Sequence, residues 1–122
     1  MSLAATKLPE ENNLDASAKI EAALSELGPR IAERAAAADG QDRFVAENFA
    51  DLKAHGLVAT GVPEELGGLG ASYAELCEML RQIAYRCGST GLAFSMHTHQ
   101  VATNAWRWRH QRRRFGAAAA PL

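Results

Sequence analysis

An all-α fold, a small helical bundle of about four main helices, follows from three observations. Apolar residues recur at steps of three and four over long stretches, the period of one helix face. Capping residues and glycines stand at the ends of those stretches, where helices start and stop. No clear β-hairpin signal and no internal repeat interrupts them. The 122 residues suit one domain. Hydrophobic residues make up 48% of the chain, enough for a core that is moderately well buried at this size.

Residues 1–14 carry Pro9, Asn12 and Asn13 with little periodicity and are expected to be a disordered lead-in. Asp15 can cap the first helix. Its stripe is Ile20, Leu24, Leu27 and Ile31, continued by Ala35 and Ala38. Gly28-Pro29 interrupts the composition but not the register. Pro29 removes one backbone N–H, so a kinked helix is the first expectation and two separate helices the second. Asp39-Gly40 ends the element.

A second helix is expected from about Arg43 to His55. Val45, Phe49 and Leu52 form its face and Gly56 its stop. Lys53 and His55 lie in the last turn, where positive charge is favoured. Leu57-Val58-Ala59-Thr60 reads as a short extended segment. Three glycines in four positions follow within Val62-Pro63-Glu64-Glu65-Leu66-Gly67-Gly68-Leu69-Gly70-Ala71. Pro63 suits the first position of a short helical turn, with Glu64 and Glu65 near its positive end. Gly67 or Gly68 can close that turn in the left-handed region. The loop lacks both G-x-G-x-x-G and P-loop spacing, so a structural turn is preferred to a phosphate cradle.

The third helix has the clearest start. Ser72 and Glu75 have capping-box spacing. Tyr73, Leu76, Cys77, Leu80, Ile83, Ala84 and Cys87 make its broad face, and Gly88 stops it. Ser89 can cap a fourth helix running to about Arg109. That helix is apolar on two sides: Leu92, Met96 and Trp106 on one, Ala93, Phe94, His97 and Val101 on the other. A helix apolar on two sides is packed on two. One side can bury against the domain's own helices, and the other requires a partner or a ligand. Residues 15–110 thus form the domain, and 111–122 a low-complexity tail ending Gly116-Ala117-Ala118-Ala119-Ala120-Pro121-Leu122.

Several chemistries are disfavoured. Cys77 and Cys87 lie ~15 Å apart on one helix, beyond disulfide reach. Buried thiols in a reducing cytosol, hence a cytoplasmic location, are expected. No signal peptide is evident, and no apolar run approaches the ~20 residues of a membrane span. His97 and His99 point ~200° apart and cannot share a metal. His99 and His110 share a stripe but stand ~16 Å apart, so no metal site is expected. No nucleophile spacing supports hydrolase chemistry. Trp106 and Trp108 interleave with Arg107 and Arg109 and precede Arg112, Arg113 and Arg114, a mixture that can stack on bases and grip phosphates. The net charge of −1 disfavours nucleic acid as a partner. The preferred reading is a helix end, with tryptophans packed on the core and arginines at the negative terminus.

The glycine-rich segment, the preceding Phe49-Ala50-Asp51-Leu52-Lys53-Ala54-His55-Gly56-Leu57 and the following Gly88-Ser89-Thr90-Gly91-Leu92-Ala93-Phe94-Ser95-Met96-His97 together resemble the N-terminal domain of the acyl-CoA dehydrogenase family of flavoenzymes. The resemblance covers roughly residues 20–109. It implies a parent that oxidises acyl-CoA thioesters at the Cα–Cβ bond with FAD, or a monooxygenase relative acting on a small-molecule substrate. It also implies an oligomer in the full-length family. The fourth helix would line the substrate and flavin pocket through Ala93, Phe94, His97 and Val101. A neutral His97 imidazole there could donate to a carbonyl or to a flavin adduct. The family's β-domain and C-terminal bundle have no counterpart here, so no catalytic residue transfers. A truncated chain, inactive and binding FAD weakly or not at all, is expected. The alternative is a small interaction module that binds nucleic acid or an acidic partner through Arg112, Arg113 and Arg114.

Overall fold

The computed structural model describes residues 9–115, with side chains described over residues 16–111. Four α-helices follow one another: α1 (Pro9–Gly40), α2 (Ala46–Ala54), α3 (Tyr73–Arg86) and α4 (Gly88–Phe115). Single 3-10 turns at Leu57–Ala59 and Glu64–Leu66 join α2 to α3. There is no strand among the described residues.

Helix α1 starts at Pro9, inside the segment expected to be a disordered lead-in. Proline suits a first helical position, where its missing N–H breaks no bond. Asp15 lies inside this helix, six residues past its start, and so does not cap it. The helix runs through Pro29 without a break, so the two-helix alternative does not occur. Ile20, Leu24, Leu27 and Ile31 are buried as a stripe.

Helix α2 begins at Ala46, three residues later than expected, because Asp42 takes a left-handed φ of 49° and turns the chain before it. Val45 and Leu52 are buried. Gly56, at φ 77°, follows the end of the helix.

The segment 57–60 is a 3-10 turn, not extended. Thr60 N and Oγ1 both donate to the Leu57 carbonyl, at 3.3 and 2.6 Å. With no neighbouring strand to pair with, these local bonds prevail. The glycine-rich loop then folds back on this turn: Leu69 N bonds Ala59 O and Ala71 N bonds Thr60 O. Gly67 closes the Glu64–Leu66 turn at φ 90°, while Pro63 stands one place before that turn in an extended conformation.

Both halves of the α3 capping box form, Glu75 N to Ser72 Oγ at 3.2 Å and Ser72 N to Glu75 Oε1 at 2.9 Å. Its buried arc is Leu76, Met79 and Ile83. Tyr73, Cys77 and Ala84, all expected on that face, are exposed. Helices α1 and α4 both pack on α3, and only the arc of Leu76, Met79 and Ile83 is buried by them. Cys87, buried and extended, alone separates α3 from α4, which starts at Gly88 ahead of the expected Ser89 cap. Helix α4 also outruns its expected end at Arg109 by six residues, since no breaker occurs before Gly116. Phe94, Leu27, Ile31, Leu52, Met79 and Ile83 are the large side chains at the centre of the core.

Candidate functional site on helix α4

The inner side of α4 brings the four expected pocket residues together. Phe94 is 0% exposed and meets the Phe49 ring edge-on, with centroids 5.5 Å apart and planes at 70°. The His97 ring lies 5.7 Å from Phe94 and 6.3 Å from Phe49. His97 Nε2 stands 2.8 Å from the Val58 carbonyl oxygen. A carbonyl only accepts, so Nε2 carries the hydrogen and donates it. Ala93, His97 and Val101 are half-buried. A Cβ placed on Gly61 would come within 3.4 Å of Val101 Cγ1, which sets Val101 over the start of the glycine-rich segment.

This arrangement takes Phe94 out of reach of any ligand. Burial of its ring against α2 is worth more than its exposure, on the order of 2 kcal/mol for a side chain of this size. His97 spends its Nε2 hydrogen on the backbone of the 57–60 turn, where it holds that turn to α4.

Behind Phe94 lies a polar network that periodicity did not flag. Asn48, 1% exposed, donates from Nδ2 to Thr90 Oγ1 at 2.9 Å. Its Oδ1 accepts from Arg34 Nη1 at 3.1 Å, and the same nitrogen donates to Asp51 Oδ2 at 2.7 Å. Arg34 Nε also pairs with Glu47 Oε2 at 3.3 Å. The Arg34 hydrogen bond holds the Asp51 carboxyl below the usual carboxylate range, and Asp51 in turn raises Arg34. The network joins α1, α2 and the first turn of α4. One signal was available: Asn48 sits between Val45 and Leu52 at helical spacing, a polar residue on an apolar face. Among the described residues no buried side-chain nitrogen or oxygen lacks a partner, so none is left aimed at a ligand.

The outer side of α4 is different. Leu92 is 70% exposed, Met96 60% and Trp106 59%. The His110 ring stacks on Trp106 at 3.8 Å, and its Nδ1 donates to the Trp106 carbonyl at 2.9 Å. Trp106 is therefore not packed on the core as a simple helix end would have it.

Three surface grooves are the clearest concavities, of about 170, 270 and 270 Å³. They lie between α1 and α2 and between α1 and α3, and none is lined by Ala93, Phe94, His97 or Val101. All are smaller than the ~300–1,000 Å³ of a drug-sized site, and FAD is larger still. None of these three grooves has room for a whole flavin dinucleotide. Among the described residues no group of three His, Cys, Asp or Glu could hold a metal ion. No described helix is long and apolar enough to cross a membrane.

The motifs and the four helices agree with comparison to known proteins. A probable acyl-CoA dehydrogenase of Mycobacterium leprae is 39% identical over 79 residues, which is 64% of this chain and 19% of the relative. An L-evernosamine nitrososynthase of Micromonospora sp. is 34% identical over 88 residues, 71% of this chain and 21% of the relative. A dibenzothiophene monooxygenase of Mycolicibacterium goodii is 38% identical over 70 residues, 57% of this chain and 17% of the relative. The chain thus spans about a fifth of the length of the curated relatives it matches. No solved structure matches. The model for the N-terminal domain of acyl-CoA dehydrogenase matches residues 16–119, past the point near Arg109 where the visible motifs stop, so this chain belongs to the acyl-CoA dehydrogenase family through that domain.

Proposed function

We propose that this chain is the N-terminal helical domain of an FAD-dependent, acyl-CoA dehydrogenase-like oxidoreductase, and that α4 contributes one wall of the pocket where substrate meets flavin. The observation that carries this is the apolar side of α4 left uncovered, Leu92, Met96 and Trp106, on a helix whose other side is already packed. Such a face fits the rest of an enzyme, because isolated exposure of three large apolar groups on one helix is costly in water. Ala93, His97 and Val101 border the wall, with Phe94 as its rigid backing. The substrate class is acyl-CoA or another small molecule, since the relatives' names span a dehydrogenase, a nitrososynthase and a monooxygenase. The reading includes a cytoplasmic, oligomeric parent. FAD would supply the redox chemistry there, held mostly by parts of the enzyme other than this domain.

The test has two arms. The purified chain alone is expected to be colourless and without dehydrogenase turnover. Fused ahead of the remaining segment of the Mycobacterium leprae relative, it is expected to give a yellow protein with flavin absorbance, and Met96→Glu with Leu92→Glu should abolish that absorbance. Stoichiometric flavin on the chain alone, or flavin retained by the double glutamate variant, refutes the proposal.

A further inference from the structure

We infer that the groove between α1 and α3 that runs from Glu21 to Arg86 binds a small ω-amino acid, with an ammonium and a carboxylate at opposite ends of a short apolar stem. The inference is independent of the enzyme reading above, because no α4 residue lines this groove. The groove holds about 270 Å³, and Leu24 and Ile83 of the core form its floor. Gly28 is buried, and a Cβ there would lie 3.2 Å from Arg86 Nε and 3.3 Å from Arg86 Cζ. The missing side chain thus leaves the space in which the Arg86 guanidinium rests.

The charges around the groove then select the ligand. Arg81 Nε and Nη2 both donate to the Glu78 carboxylate, at 2.8 and 2.6 Å, so Arg81 is neutralised where it stands. The side chains of Glu21 and Arg86 are exposed and have no hydrogen bond or ion pair among the described residues. They mark opposite ends. Glu21 precedes Gly28 on α1 by seven residues, ~10 Å along the axis, and Arg86 lies against Gly28. Glu75 and Glu78 line the adjoining groove that Glu21 shares, so that end is negative and the Arg86 end positive. A lone anion gains Arg86 but meets these carboxylates, and a lone cation gains Glu21 but faces the guanidinium. One molecule with both charges satisfies both ends, its carboxylate accepting from Arg86 and its ammonium donating to Glu21. Its stem covers Leu24 and Ile83, and Tyr85, 82% exposed, stands at the rim beside Arg86. An α-amino acid is too short, since a single carbon separates its charges.

The experiment titrates 6-aminohexanoate into the full 122-residue chain labelled with nitrogen-15 and follows amide shifts by two-dimensional NMR. Saturable shifts are expected at Ser25, Gly28, Gln82 and Arg86, with a Kd of about 1 mM for a ligand of this size. Hexanoate lacks the ammonium and hexylamine the carboxylate, and each should bind about tenfold more weakly. Glycine, with both charges but no stem, should bind more weakly than either. Arg86→Gln and Glu21→Gln should each weaken 6-aminohexanoate about tenfold, and because both side chains are exposed the remaining amide spectrum should keep its dispersion. The truncated ligands test the same two contacts with no change to the protein. Absence of saturable shifts up to about 50 mM overturns the inference. So does equal binding by hexanoate or hexylamine, undiminished binding by Arg86→Gln or Glu21→Gln, or shifts that map to α4 in place of α1 and α3.

Discussion

Gly91 of α4 sits directly against Ala84 of α3, and replacing it with alanine tests the packing at the base of α4. A Cβ at residue 91 would lie 2.6 Å from Ala84 Cβ, 2.7 Å from Ala84 Cα and 3.0 Å from Ala84 N. Carbon atoms settle at about 3.5–4.0 Å, so the shortfall is about 1 Å. The atoms met belong to a backbone and its Cβ, and no rotamer can carry them away. The two helices must separate or slide, which costs about 1–3 kcal/mol for overpacking of this kind. Alanine returns up to ~1 kcal/mol of helix propensity, less in a first turn. The net expectation is a loss of about 1–2 kcal/mol, a fall in Tm of roughly 4–10 °C. Urea unfolding followed by far-UV circular dichroism and tryptophan fluorescence measures it. Ala84→Gly alone should cost about 1 kcal/mol as an interior helix glycine, and it should restore little of the stability lost in Gly91→Ala, because the 2.7 Å approach to the Cα of residue 84 remains. A Gly91→Ala midpoint at or above that of the parent, or full recovery of stability in the double variant, refutes the reasoning.

Two further outcomes follow from the polar network and the charges around it. Asn48→Ala strips Arg34 and Thr90 of a buried partner and should cost about 1–3 kcal/mol by chemical denaturation; a loss below 0.5 kcal/mol, on the order of a surface substitution, would show that water replaces the amide. Asp51 and Glu75 both titrate below their ordinary values in the folded chain. Arg34 lowers Asp51, while for Glu75 burial pushes upward and is outweighed by hydrogen bonds from Ser17 and Ser72. A depressed folded value means stability that is present above the unfolded range, near pH 4, and is lost as pH falls through the folded value. Urea midpoints from pH 6 to pH 3 should therefore fall below pH 4, and Asp51→Asn with Glu75→Gln should flatten that fall; an equally steep profile in the double variant contradicts the assignment.

Local rules account for much of what the chain announces in advance. The Ser72–Glu75 capping box, the stripe Ile20-Leu24-Leu27-Ile31 and the left-handed Gly67 each depend on neighbours within one or two turns, so spacing alone identifies them. The loop 57–60 escaped because four residues of strand-like composition carry no information about whether a partner strand exists. Tyr73 and Cys77 escaped because periodicity defines a face and not how wide an arc the neighbours cover. The same limit governs α4. Its two apolar sides are legible from residue type, but their fates differ: Phe94 is sealed against Phe49, while Leu92 and Met96 stay in water. Helix count, caps and stops are thus written in short-range chemistry. Which greasy side is spent on the core, and which residues such as Asn48 and Thr90 meet across 42 positions of chain, depends on how the helices cross, a balance of long-range contacts that no local pattern encodes.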